Sequence, residues 1–266
     1  MVRDDRPMSF FEHLEELRDR LLRAFMAFVI AFLAIFLVHV DIANLGGLPV
    51  PVPSFDPINP LPAQVLTGMI DYLAPPDVTI IVLAPQEFFL QELKVGLFLG
   101  VIIAMPFIVY EIAKFLAPAL YAKERRLIVR IAAPAAALFL SGVLFALFLI
   151  LPFTFRFLYS LVPTNFGRFL QVDAFLDLVI PFLIGFGLAF ELPIIMVALS
   201  SLGLVDPSFW RQHWRAAVLG SFVFGGFITP DGTGITMMFV ALPMMLLYGA
   251  GYVASRTQAR RRDAKP

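Results

Sequence analysis

Few side chains in this 266-residue chain could do chemistry, and those that stand out are carboxylates. Glu191 is the only ionisable group in the 28 residues from Leu178 to Val205, with 13 before it and 14 after. At about 1.5 Å per helical residue it falls near the centre of a ~30 Å hydrocarbon slab. A charge there is costly, so such a group turns inward and is usually functional. A second set lies in SFFEHLEELRDRLLRAF, residues 9–25, where Glu12, Glu16 and Asp19 recur at i, i+4 and i+7 and form an acidic stripe. The third is Glu124 in FLAPALYAKERRLIVR, residues 115–130, flanked by Lys123, Arg125 and Arg126. Surface carboxylates of this kind form an anionic patch that suits a cationic ligand.

Each group also has an ordinary explanation. Glu16 can pair with Arg20, and Asp19 with Arg23, as i,i+4 partners on one helix. Glu124 can neutralise its basic neighbours. Glu191 can be a protonated hydrogen-bond donor to an adjacent helix. Covalent catalysis finds no support: there is no HExxH, GxSxG or Walker loop and no pair of acids deep in one span, since Asp177 and Asp231 lie near segment ends. The chain has no cysteine, and His13, His39 and His213 are too far apart for metal-ligand spacing. No cofactor and no metal are expected, and the chain is not expected to be an enzyme.

The elements that must carry these residues are apolar. Hydrophobic residues make up 60% of the chain and charged ones 15%, with mean hydropathy +0.86. Soluble domains hold roughly 45–50% apolar and about 25% charged residues, so this is an integral membrane protein. Six segments are long or apolar enough to matter: 21–40, 94–113, 131–155, 178–205, 216–229 and 235–255. The fifth has 14 residues, about 21 Å of helix, too short for an average bilayer unless the lipid thins. The break Thr229-Pro230-Asp231-Gly232 makes the last two segments an antiparallel hairpin. Ser9-x-x-Glu12 is a capping box that starts an amphipathic helix ahead of the first span. Nothing resembles a cleavable signal, so the first span is expected to be retained.

Lysine and arginine divide 17 to three between the two sides, the minority being Lys94, Arg156 and Arg168. The positive-inside rule then puts both termini in the cytoplasm and requires an even number of spans. The outer loop 41–85 has nine prolines and no Lys or Arg, which favours extended and turn conformations. Within it Val65, Leu66, Met69, Ile70 and Leu73 keep helical spacing, predicting a short capping helix over 64–74. Pro193, two residues after Glu191, predicts a kink that frees the carbonyl of Ala189. Gly185 and Gly187 predict close approach of a neighbour. Zero net charge gives no field for nucleic acid. The whole chain, 1–266, reads as one membrane domain.

Five stretches in order resemble the TatC family of the twin-arginine (Tat) protein translocase: HLEELRDRL (13–21), PFIVYE (106–111), FLAPALYAKERR (115–126), FGLAFELPII (186–195) and ITPD…ALPMMLLY (228–248). The resemblance implies an all-α, cup-shaped bundle of six transmembrane helices with short fifth and sixth spans. It implies a receptor for signal peptides with two consecutive arginines, acting in a bacterial-type cytoplasmic membrane with single-span TatA and TatB partners and self-associating in a larger complex. It further implies that Glu16 and Glu124 recognise the arginine pair, with Arg18 and Phe115 beside them. Glu191 would lie in the concave face, and the last two spans, around Pro230 and Asp231, would meet partners. The chain departs from the family pattern at Glu111, at Gly232-Thr233-Gly234 and at Gly249. A proton-coupled small-solute carrier using Glu191 is the alternative, and an intramembrane enzyme a distant third.

Overall fold

The structure is a computed structural model and describes residues 10–45, 48–56, 58–116, 122–163, 165–229 and 234–263, the side chains of 10, 42–51, 85, 116, 122–131 and 260–263 excepted. Among these residues the chain is mostly helical. Helix α1 is Phe10–Phe36, α2 Leu61–Leu73 and α3 Pro85–Leu116. Helix α4, Ala122–Phe145, passes through one π turn, Ala146–Ile150, into α5, Leu151–Ser160. Helices α6 (Val172–Phe190) and α7 (Leu192–Ser201) are nearly continuous and are followed by α8 (Pro207–Gln212), α9 (Trp214–Ile228) and α10 (Gly234–Asp263). Among the described residues, four stretches are long and apolar enough to cross a membrane: 86–115, 132–160, 172–201 and 234–259. Helix α9 is apolar but shorter, and α1 holds Arg20 and Arg23 in its middle.

Most helices run past the apolar segments that announce them, because their polar ends find partners. Helix α3 begins at Pro85 instead of 94, with Glu87 Oε2 accepting from the amides of Leu83 (2.8 Å) and Ala84 (3.4 Å). Helix α6 begins at Val172 instead of 178 because Lys94 takes up Asp173 (2.6 Å) and Asp177 (3.1 Å). Helix α1 stops at Phe36, short of 40. The π turn precedes Pro152, whose missing N–H and ring break the i−4 ladder; an extra residue in the turn absorbs the misfit. The α7 end is closed by Gly203, the one positive φ among the described residues (72°). There Leu204 N–H reaches back to Leu199 C=O (3.1 Å) and Gly203 N–H to Ser200 C=O (3.2 Å), a Schellman closure.

Two small sheets are the main features not anticipated. Strands β1 (His39–Leu45) and β2 (Leu48–Ser54) form an antiparallel hairpin, and β3 (Thr79–Ile81) pairs in parallel with β4 (Phe169–Gln171). In β2 prolines stand at 49, 51 and 53, paired with Asn44, Ile42 and Val40. Proline at every second position puts all the missing N–H groups on one edge, so β1 pairs through the intervening residues while the free edge cannot recruit another strand. The expected capping helix is present as α2, with Leu66, Met69 and Leu73 buried on its inner face.

Helices α1 and α3 run antiparallel: His13 lies by Phe115, Arg20 by Glu111, Phe32 by Gly100 and Phe36 by Gly96. The core continues through Phe139, Phe175, Phe182 and Phe186 on α4 and α6. Small residues set the helix spacing, as membrane bundles require. A Cβ on Gly142 would strike the carbonyl of Phe186, and one on Gly187 the ring of Phe139. Thus the backbone that comes closest lies opposite Gly142, whereas Gly185 and Gly187 admit the side chains of Ile228 and Phe139. Helices α9 and α10 pack as the expected pair, Gly225 against the backbone of Met237; Pro230 and Asp231 lie outside the described residues. Tyr248 Oη donates to the carbonyl of Trp210 (2.6 Å), whose indole donates to Ser200 (3.0 Å), so α8 straps α7 to α10. The start of α1 and the last part of α10 lie at one end of the bundle, called here the proximal end; the sheets and α2 cap the distal end.

Two expectations follow. Gly142→Ala should destabilise the α4–α6 contact by about 1–3 kcal/mol, read as a lowered unfolding midpoint in detergent. Gly220→Ala, with open space around it, should not. In the distal cap, His39 Nδ1 lies 2.6 Å from the Asn59 carbonyl and Nε2 3.0 Å from Asp41. Only the imidazolium donates to both, and the Asn59 bond, with Asp41, raises the His39 pKa above its ordinary 6.5 despite some desolvation. A raised folded pKa contributes stability that is full below 6.5 and lost as pH rises through the folded value. Amide exchange in the β1–β2 hairpin should therefore quicken on that pH rise beyond its intrinsic base dependence, and His39→Gln should remove the excess.

Candidate functional site

The proximal polar site is built on the α1–α3 seam. On α1, Glu16 and Arg20 are one turn apart, and Arg20 gives Nε (3.0 Å) and Nη2 (2.5 Å) to the single oxygen Oε1 of Glu16. Its remaining arm, Nη1, reaches Glu111 Oε2 on α3 at 3.1 Å. Arg23 approaches the same oxygen at 3.7 Å. The Glu111 side chain is 4% exposed, and those of Glu16 and Arg20 15%. Burial opposes the Arg20 charge, but its bonds to Glu16 and Glu111 outweigh it and raise the pKa above the ordinary arginine value. Arg20 is therefore a permanent cation between two carboxylates.

Glu16 is only half served. Its Oε2 is buried and has no hydrogen-bond partner; His13 Nδ1 stands 4.0 Å away, beyond bonding range. The His13 ring stacks on Phe115 at 4.5 Å and 13°, forming a flat aromatic wall beside that oxygen. A buried acceptor left empty costs stability unless something donates to it.

The pairing differs from the i,i+4 scheme in one respect. Glu16 does pair with Arg20, but Asp19 is taken by Arg18 (3.0 and 3.2 Å), which also meets Glu15 (3.5 Å). Arg23 bonds the main-chain carbonyl of Asp19 (3.1 Å), not its carboxylate, because it leans toward Glu111 across the seam. Arg18 is thus exposed and directed away from Glu16. Glu124 lies in the first turn of α4, with its side chain outside the described residues. The sequence marks Glu111 only as a departure from a family motif. The signal that it mattered was its place as the one acid in the second apolar segment, opposite two arginines of α1.

Glu191 occupies the break between α6 and α7. Pro193 supplies no amide for Ala189, and the Glu191 N–H turns back to the Leu188 carbonyl (3.1 Å) and to Ala189. Glu191 Oε1 is buried without a partner. Gly187 brings Phe139 of α4 close on one side, and Gly251 of α10 approaches the Pro193 Cα on the other. The distal polar cluster is separate. Lys94 binds Asp173 and Asp177, Gln91 donates to Asp173 (2.8 Å), Gln171 donates to Glu87 (2.9 Å), and Arg168 pairs with Asp77. Two of the three minority bases, Lys94 and Arg168, are thereby neutralised within the protein.

These features define a polytopic helical membrane protein with ion-paired clusters at both ends and one acid at a helix break between them. Comparison with known proteins gives the class its family. Residues 12–243 match the family model described as Sec-independent protein translocase protein (TatC). The chain is 39% identical over 261 residues to the protein of that name from Cenarchaeum symbiosum, covering 97% of this chain and 98% of the relative. It is 30% identical over 257 residues to that of Aquifex aeolicus, covering 96% and 98%. A solved structure titled twin arginine translocase receptor TatC superposes with a TM-score of 0.75 at 29% identity, covering 93% of this chain and all of that one. The chain belongs to the TatC family and is a component of the Sec-independent, twin-arginine protein translocase. That membership makes it a transport component and sets the small-solute carrier aside.

Removing Arg20 should expose what it balances. Arg20→Gln should lower stability by about 1.5–3 kcal/mol, the range for a lost hydrogen bond to a charged group. Adding Glu111→Gln should recover most of that loss, because the buried acid is then neutral. A double-mutant cycle in detergent reads both terms.

Proposed function

We propose that this chain is the signal-peptide receptor of its translocase, with no reaction of its own. Glu16 and Glu124 take the two guanidinium groups, Phe115 lines the pocket, and Arg18 orders the acidic stripe beside it. The observation that carries the reading is the buried, unpartnered Oε2 of Glu16 beside the His13–Phe115 wall, at the bundle end where the Glu124-bearing helix begins. In this reading the chain is one domain over 1–266 with six spans in a bacterial-type cytoplasmic membrane, α1 and α9 adding to the four longer ones. Both termini are cytoplasmic, as the 17-to-three division of bases supports. Single-span TatA- and TatB-type proteins pack on α9, α10 and the turn with Pro230 and Asp231, and copies of the receptor associate in the working complex. Glu191, beside a helix break and two glycine-mediated contacts, forms the mid-membrane polar notch that meets the inserted signal or a partner helix.

The test is signal-peptide binding to the purified protein in nanodiscs, comparing Arg-Arg with Lys-Lys peptide. Glu16→Gln and Glu124→Gln should each weaken Arg-Arg binding by roughly 10- to 150-fold, corresponding to about 1.5–3 kcal/mol for one charge-assisted contact. A wild-type protein that binds both peptides equally would remove the receptor assignment from these two acids.

A further inference from the structure

The Glu16–Arg20–Glu111 geometry has a consequence for how arginine can be read, given the receptor assignment of Glu16 above. Guanidinium is distinguished from ammonium by a planar fork that engages both oxygens of one carboxylate. Both oxygens of Glu16 are not available at once. Arg20 places two of its nitrogens on Oε1, at 3.0 and 2.5 Å, and leaves only Oε2 open. A ligand that reaches Oε2 alone cannot set the parallel fork across both oxygens, which is the contact that separates guanidinium from ammonium. Selective reading of arginine therefore requires Arg20 to leave Oε1.

Glu111 supplies the place to go. It already accepts from Arg20 Nη1 at 3.1 Å, so the transfer is a side-chain rotation about an existing contact. Its side chain is almost wholly buried, so it needs a cation at all times, whereas its other cation, Arg23, is 3.7 Å away and half exposed. Arg23 can withdraw to solvent as Arg20 swings in. Every buried charge stays paired through the exchange: the ligand guanidinium replaces Arg20 on Glu16, and Arg20 replaces Arg23 on Glu111.

We propose that Arg20 is an internal stand-in for the incoming arginine, ceding Glu16 when the signal binds, and that Glu111 is the positioning residue that receives it and so sets arginine-over-lysine discrimination. Neither residue need touch the ligand in this role.

The experiment measures binding of Arg-Arg and Lys-Lys signal peptides to four full-length proteins in nanodiscs: wild type, Glu111→Gln, Arg20→Gln/Glu111→Gln and Glu16→Gln. In Glu111→Gln, Arg20 loses its charged second partner and holds Glu16 more firmly. Arg-Arg binding should fall on the order of tenfold while Lys-Lys binding stays unchanged, so discrimination collapses. The double variant has no internal competitor and should bind Arg-Arg several-fold more tightly than wild type. A purely structural role would weaken both peptides alike and would not tighten the double variant. Equal losses for the two peptides in Glu111→Gln, or a double variant no tighter than wild type, would overturn the exchange. Should Glu111→Gln not fold, the charge-balanced double variant decides alone. Glu16→Gln separates this from the underlying assignment: if it binds Arg-Arg as wild type does, the receptor role of Glu16 fails, whereas if only it loses binding, the role stands and the exchange fails.

Discussion

The antiparallel seam between α1 and α3 is the contact on which the proximal site depends. Three phenylalanines of α1, at 28, 32 and 36, lie over Gly96 and Gly100 of α3, where a Cβ would collide with their rings or with the α1 backbone. In lipid no hydrophobic force draws helices together, so this fit of bulk onto glycine supplies the van der Waals contact that fixes their register. The register then dictates the chemistry. It sets His13 against Phe115, and it sets Arg20 and Arg23 against Glu111, three residues that share no sequence motif. Slide the seam by one helical turn and the cation of α1 would face an apolar surface.

The same rule, that polar groups in a membrane must be satisfied within the protein, explains the other unusual features. At the distal end, Lys94 would be a misplaced base in a segment start, but two aspartates of α6 neutralise it and so fasten α3 to α6. Arg168 does the same for the loops through Asp77. At the α6–α7 break, Pro193 opens the helix at Glu191, and the Glu191 amide turns back to cover the carbonyls that the proline leaves. The carboxyl itself keeps one oxygen without a partner. Among the described residues two acids thus keep a buried oxygen without a partner, Glu16 at the proximal end and Glu191 at the α6–α7 break. In the proposed reading, each is a point at which a partner from outside the chain would donate.

In the proposed receptor reading, a site for a positively charged signal faces a conflict that this arrangement would resolve. Carboxylates poised for arginine are costly when buried and empty, yet exposed ones bind weakly and without preference. Borrowing a cation from the next turn of the same helix satisfies the empty state, and a second, deeper acid keeps that cation nearby. In that reading the stacked rings of His13 and Phe115 would offer the signal a surface on which a guanidinium plane stacks.

The sequence alone determined the membrane environment, the kink at Pro193, the capping helix α2, the pairing of α9 with α10 and the family. All of these are written in composition, periodicity and local motifs, which report how a segment relates to solvent or lipid and to its immediate neighbours. It also offered Glu16–Arg20, because i,i+4 partners are adjacent on any helix. It misassigned Asp19 to Arg23 on the same rule, since the competing acceptor, Glu111, lies 88 positions further along the chain. Helix ends were misplaced wherever a polar residue found a distant partner, as at Lys94 with Asp173 and Asp177. The two sheets escaped notice because proline-rich strands lack the alternating pattern that marks a half-buried strand, and a three-residue parallel pair has no local signature. Glu111 shows the division most clearly. Its identity was plain in the sequence, but which cation it holds, how deeply it is buried, and that Glu16 therefore has one free oxygen were decided by helix packing, because long-range pairing depends on distance in space and not on spacing along the chain.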